Sequence, residues 1–291
     1  MKKYLKLIRV KHWLKNALVF LPLFFSNNLL KLDYLITTLI AFFVFSFSSS
    51  IVYVINDIND IEKDKKHPIK KKRPLAAGII SIKNAYKTIA ILVAVALIMI
   101  SILYIKTNNL TVVIIPIVYI IMNLLYSKWL KNIPIVDVTI LVLGFLLRVI
   151  YGGAVILVEV SKWLYLMIIF GSFYLGFGKR RNEIIKNGEK SRKVLELYNK
   201  DFLDKNMYVA LTLAVVSYTL WCVDPITTAR IGHDYMFWTI PILMIILQLY
   251  SLNIERDSYG DPIDVILSDK VLVATIIIFI IIMIGLLYII W

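Results

Sequence analysis

Cysteine is all but absent. Cys222 stands alone in an apolar run, which excludes an internal disulfide and leaves a small buried thiol as its ordinary role. Histidine is nearly as scarce: His12 and His233 have no metal-binding neighbours in sequence, and His67, just before Pro68, reads as a turn residue. Long polar stretches are missing too. No polar segment is long enough to fold by itself, so the chain is expected to be a single polytopic membrane domain over residues 1–291. The first apolar run lacks a small-residue cleavage site and follows basic residues, so no cleavable signal peptide is expected. Acidic residues are in deficit, with 19 against 33 lysines and arginines and a formal net charge of +14. In a membrane protein such an excess first reports orientation and contact with anionic head groups or phosphates, so membrane lipids are the expected surroundings and no nucleic-acid partner is expected.

What is present is hydrocarbon. Sixty per cent of the residues are hydrophobic (60%) and the mean hydropathy is +0.79. A helix needs about 20 consecutive apolar residues to cross a bilayer. Runs of that order predict an all-α integral membrane protein with nine transmembrane helices, at roughly 17–30, 35–55, 85–105, 110–127, 134–157, 161–178, 207–223, 235–253 and 271–290. The first is short and partly interfacial in character. Basic residues alternate along this series. They crowd the N-terminal arm (Lys2 to Lys15), the 57–84 loop and the 178–206 loop, and thin out in the connections between. Nine spans with the N-terminus inside place each basic segment on the cytoplasmic side of the cell membrane, as the positive-inside rule asks. The 57–84 and 178–206 loops are then expected to cap an active site.

The second span ends in SIVYVINDINDIEKDKKHP. If the helix continues past Asn56, then Asp57, Asp60 and Asp64 fall at i, i+3 and i+7, within roughly 60° of one another on one face. Three carboxylates there repel one another unless a cation sits between them. Mg²⁺ prefers oxygen ligands and is commonly held by one or two carboxylates together with substrate phosphates. Lys70, Lys71, Lys72 and Arg73 follow, ready to neutralise phosphate oxygens. The stretch therefore reads as a magnesium–diphosphate site at the membrane surface. The plainer alternative is a solvated loop whose charges pair with each other and with lipid.

Asn56-Asp57-x-x-Asp60-x-x-x-Asp64, just after the second span, resembles the first aspartate-rich motif of the UbiA superfamily of intramembrane prenyltransferases. That resemblance implies nine helices around a central cavity open to lipid, and a diphosphate substrate bound through Mg²⁺ with Asp57, Asp60 and Asp64 as catalytic and metal-binding residues. Four further stretches are similar to one branch, the decaprenyl-phosphate phosphoribosyltransferases: RVKHWLKN (Arg9–Asn16, with Val10 in place of a proline), HPIKKKRPLAAG (His67–Gly78), GFLLRVIYGG (Gly144–Gly153) and GDPIDVILSDKVL (Gly260–Leu272). Where ordinary prenyltransferases carry a second Asp-x-x-x-Asp motif, this chain has GKRRNE (Gly178–Glu183). One acidic and one basic cluster suit a sugar with a diphosphate at one end and a phosphate at the other, such as phosphoribosyl diphosphate (PRPP). The resemblance thus implies transfer of a phosphoribosyl group from PRPP to a polyprenyl phosphate. The alternatives are prenyl transfer to a small acceptor, and a transporter or lipid-binding protein.

The substrate-binding residues this reading implies are Lys15, Asn16, Asn56, Lys70, Arg73, Tyr126, Arg148, Lys179, Arg180, Glu183 and Tyr198. Arg148 lies inside the fifth span, where a charge usually faces the bundle interior with a partner. Asp137, in that span's first turn, could cap its helix. Asn123 and Tyr126 lie near the end of the fourth span. Lys179 and Glu183 are spaced to pair along a helix. Gly152 and Gly153 suit close helix packing more than binding. Ser268 or Asp269 can cap the last helix.

Overall fold

The computed structural model describes residues 2–68, 70–187, 193–255 and 262–289. Lys190, Arg192 and Arg256 lie outside the described residues, as do Gly260 and Asp261 of the last motif. The regular elements among the described residues are all helical. Backbone contacts divide the chain into two compact units, Met1–Leu130 with Leu147–Glu159, and Lys131–Leu146 with Val160–Trp291.

The first unit opens with α1 (Lys2–Leu7), a 3₁₀ run over Val10–Phe20 and α2 (Leu21–Phe25). It continues through α3 (Leu32–Asn59), α4 (Ile61–Lys65), α5 (Ile82–Thr107) and α6 (Thr111–Lys128). Lys106, at the end of α5, bonds to Asp33 and, at 2.7 Å, to Thr37 at the start of α3. The two helices therefore run antiparallel. Ser81 starts α5 by accepting from the N–H of Asn84, and Asn108 ends it in the left-handed region at φ 48°, a common helix stop. The unit's core joins Val44 and Phe45 of α3, Leu103 of α5, Tyr119 of α6, and Tyr151 and Val155 of α7 (Val136–Ile156).

The second unit takes the first half of α7, then α8 (Lys162–Asn187), α9 (Lys200–Val223), α10 (Pro225–Ile231), α11 (Ile240–Glu255), α12 (Pro262–Ser268) and α13 (Lys270–Tyr288). Asn199, Asp224 and Asp269 cap α9, α10 and α13 with their side chains. The core runs from Val138 and Val142 through Tyr174 and Phe177 to Leu203, Met207, Ile254 and Leu272.

Seven helices among the described residues are long and apolar enough to cross a membrane, namely α3, α5, α6, α7, α9, α11 with its leading 3₁₀ turn, and α13. α8 is 26 residues long, or about 39 Å, but glycines, tyrosines and a charged end make it less apolar. No span-length helix forms at 17–30. The chain there is the 3₁₀ run followed by five helical residues. A 3₁₀ run rarely exceeds 3–4 residues. This one is pinned by polar side chains: Trp13 Nε1 donates to Ser50 Oγ at 3.0 Å, and fully buried Asn16 donates to Ser46 Oγ at 3.0 Å.

Gly152 makes that packing possible. A Cβ there would lie 2.1 Å from Val19 O and 3.1 Å from Pro22 Cδ. Since backbone cannot move aside cheaply, Gly152→Ala is expected to destabilise by about 1–3 kcal/mol, read as a lower melting temperature in detergent. Gly171→Ala, with nothing within 4 Å, is the matched control and should leave it unchanged.

Candidate active site

α3 does not continue straight through the aspartates. It ends at Asn59; Asp60 leaves the helical region at φ −100°, ψ 8°, and α4 restarts at Ile61. Helical hydrogen bonds nevertheless carry across the junction, from Asp60 N–H to Asn56 O at 3.0 Å and from Asp64 N–H to Asp60 O at 2.8 Å. Asp57 and Asp64 lie together, both 2% exposed and joined through Arg73, and Asp60 lines an adjoining cleft.

Buried carboxylates need compensating charge, and two arginines supply it. Arg73 Nη1 donates to Asp57 Oδ1 at 3.1 Å and to Asp64 Oδ2 at 2.6 Å. Arg9 Nη2 donates to Asp57 Oδ1 at 2.5 Å. The turn after α4 delivers Arg73. Lys70 N–H donates to His67 Nδ1 at 3.3 Å and Arg73 N–H to Lys70 O at 2.9 Å, and Gly78 at φ 69° adopts a backbone that suits glycine. Arg9 sits at φ 52° with its guanidinium over the Tyr53 ring at 4.6 Å. A non-glycine residue held there is an uncommon, strained conformation. Sequence reasoning gave Arg9 no role; its place at the head of RVKHWLKN was the available signal.

A cleft of about 720 Å³ opens where α3 and α6 end, lined by Asn56, Asn59 and Asp60 on one side and by Ile121, Leu124, Leu125, Lys128 and Trp129 on the other. Deeper in the same unit, Arg148 is 5% exposed. Its Nε donates to Asn16 Oδ1 at 2.8 Å, its Nη2 to Tyr119 Oη at 3.1 Å, and its guanidinium lies over the Phe45 and Tyr119 rings. The expected partner of Arg148 therefore includes Asn16, another predicted site residue. Lys15, Lys70 and Tyr126 are half-buried, and Asn123 donates back to Tyr119 O.

In the second unit, the segment expected as a loop from 178 is helical to Asn187. This puts Glu183 within reach of Arg180 at i,i+3, as well as at i,i+4 from Lys179. Arg180 is 1% exposed; its Nε donates to Asp137 Oδ2 at 2.6 Å and its Nη1 to Glu183 Oε2 at 2.8 Å. Tyr198 Oη donates to Asp137 Oδ1 at 2.7 Å and accepts from Ile135 N–H. Burial, with the Asp137 carboxylate beside it, pushes the Tyr198 phenol above its ordinary range. Arg181 pairs with Asp204. Lys179 is half-buried. Asp137, in the first turn of α7, is thus also the hub of a buried ion-pair net.

The donor set of the first unit fits a hard divalent cation. Asp57 and Asp64 already converge on one cationic nitrogen, and Mg²⁺ is commonly bound by one or two carboxylates with water and substrate phosphate completing the shell. Among the described residues no group of three or more His, Cys, Asp or Glu side chains stands ready to hold a metal, so phosphate oxygens are needed to complete it.

The profile of the UbiA prenyltransferase family matches residues 17–266. The decaprenyl-phosphate phosphoribosyltransferase of Corynebacterium glutamicum is 35% identical over 274 residues, covering 92% of this chain and 81% of that protein. The protein of the same name from Mycolicibacterium smegmatis is 36% identical over 282 residues, covering 92% and 87%. Among solved structures, a UbiA homologue from Archaeoglobus fulgidus bound to GPP and Mg²⁺ superimposes with a TM-score of 0.69 at 18% identity, over 98% of this chain and 99% of that one.

Proposed function

The chain belongs to the UbiA prenyltransferase family, and on that premise we propose that it transfers the 5-phosphoribosyl group from PRPP to a polyprenyl phosphate and releases diphosphate, with Mg²⁺ required. The observation that carries the reading is the similarity, over 92% of the chain, to two decaprenyl-phosphate phosphoribosyltransferases. The lack of a second aspartate-rich motif at GKRRNE (Gly178–Glu183) supports a donor other than a prenyl diphosphate. The proposal is completed by nine crossings, the first made by the 3₁₀ run together with α2, with the N-terminus and both charged segments on the cytoplasmic face of the plasma membrane.

In the reaction the ribose C1–oxygen bond to diphosphate breaks, and a C1–oxygen bond to the acceptor phosphate forms. The acceptor is already an anion, so no side-chain nucleophile is required. A bound Mg²⁺ would supply charge stabilisation to the departing diphosphate. Asp57 and Asp64 would hold it, with Asp60 and Asn56 at the rim of the neighbouring cleft. Arg73, Arg9 and Lys70 bring positive charge to the same end of the unit, where phosphate oxygens accept charge-assisted hydrogen bonds. Arg148 ties Asn16 to α6 and so fixes the 3₁₀ run beneath this end. Positioning and electrostatics then carry the rate.

The second reading is prenyl transfer from a prenyl diphosphate, which the GPP-bound structural relative favours. Purified protein in nanodiscs separates the two. Diphosphate release should need PRPP, a polyprenyl phosphate and Mg²⁺ together. Release from geranylgeranyl diphosphate with an aromatic acceptor, and none from PRPP, would overturn the proposal.

A further inference from the structure

The cleft between the ends of α3 and α6 has two unlike walls. One is polar, with Asn56, Asn59 and Asp60. The other is the last turns of a membrane-length helix, with Ile121, Leu125 and Trp129 exposed at 53%, 39% and 61%. Lys128 lies where the apolar wall meets the polar rim, its ammonium 5.6 Å from the Trp129 ring centroid. Among the described residues no ion pair joins Lys128 to Asp60, although both line the cleft. Space for an anion therefore remains beside the lysine.

A small, fully hydrophilic substrate has no use for an exposed apolar wall, and a plain hydrocarbon has no use for a lysine and two amides. A molecule with an anionic head and an apolar tail uses both. The volume lies within the usual range for ligand sites, roughly 300–1,000 Å³, so it takes a head group and the first part of a tail while the rest stays in lipid. We propose that this cleft seats the acceptor: the phosphate of a polyprenyl phosphate at Lys128 with the amides of Asn56 and Asn59, and its first isoprene units along Ile121, Leu125 and Trp129. The assignment rests on the phosphoribosyl-transfer reading. It makes Lys128 an acceptor-specificity residue that the sequence did not single out.

Two measurements test it. In nanodiscs, Lys128→Met keeps the apolar stem and removes the charge. It should raise the KM for farnesyl phosphate or a longer polyprenyl phosphate about ten- to a hundred-fold, the loss of one charge-assisted contact. The KM for PRPP should be unchanged, and Lys128→Arg should recover most of the loss. An unchanged lipid KM, or a raised PRPP KM with an unchanged lipid KM, overturns the assignment. Independently of turnover, a benzophenone-tagged farnesyl phosphate should label residues 121–129, and unlabelled polyprenyl phosphate should compete where PRPP does not. Labelling of the cleft in a protein that leaves PRPP intact would sink the donor reading and keep the cleft as a lipid-phosphate site. Normal PRPP turnover with labelling elsewhere would sink the cleft and keep the donor reading.

Discussion

Asp57→Asn is expected to lower turnover by roughly a thousand-fold, the several kcal/mol that a metal-held leaving group contributes. The substitution keeps the size of the side chain and removes the charge that draws Arg9, Arg73 and a divalent cation to one place. Two roles are tangled there, because Asp57 also anchors both arginines. Titration with Mg²⁺ separates them. If Asp57 binds the metal, the variant's residual activity should need much more Mg²⁺ for half-saturation, while its melting temperature without metal should move little, since Arg9 and Arg73 are 19% and 28% exposed and can turn to water. A variant with near-normal turnover and an unshifted Mg²⁺ requirement would remove the metal assignment. Asp64, which shares Arg73, should behave the same way.

Asp137→Asn should produce the largest loss of stability. It takes the Asp137 carboxylate from the buried Arg180 guanidinium, which keeps Glu183, and weakens the tie to Tyr198. Removing one partner of a buried ion pair typically costs about 3–5 kcal/mol. The expected readout is a steep fall in melting temperature with little folded protein recovered. The double variant Asp137→Asn, Arg180→Gln should recover much of it, because the guanidinium that lost its buried carboxylate is removed as well. If the single variant is as stable as the unmodified protein, Glu183 suffices for Arg180, and the contact with Asp137 is not what holds it. This experiment also bears on the basic run after the sixth span, because an Arg180 held this firmly is a positioning residue.

Helix-forming runs were legible because their signal is local. Apolar stretches of membrane length predict helices whatever they pack against, and the structure has helices at all but the first of the predicted spans. That first stretch escaped because its conformation is dictated by Asn16 and Trp13 reaching serines on α3, contacts 30 and 37 residues apart in sequence. The Asp57–Asp64 pair was legible from its i, i+7 spacing, since both carboxylates meet Arg73, while the second arginine, Arg9, was not, because it reaches Asp57 from 48 residues away. The role of Asp137 was half legible: a carboxylate in a first helical turn reads as a cap, and the buried arginine from another helix that pairs with it lies too far away in sequence to be seen. Arg148 and Gly152 were read correctly as interior and packing residues, since a charge or a glycine inside a span has few other uses. Lys128 carried no sequence signal at all, because a lysine at the end of a span is commonplace, and only the cleft around it gives it meaning.

The central claim is that a phosphoribosyl group, not a prenyl group, moves. The most direct measurement supplies the nanodisc-embedded protein with PRPP labelled in its ribose, an unlabelled polyprenyl phosphate and Mg²⁺, then identifies the extracted lipid by mass spectrometry. The account predicts a polyprenyl phosphate carrying one labelled phosphoribosyl group, with one diphosphate released for each. An unlabelled lipid, from protein that does join a prenyl diphosphate to a small acceptor, would contradict it.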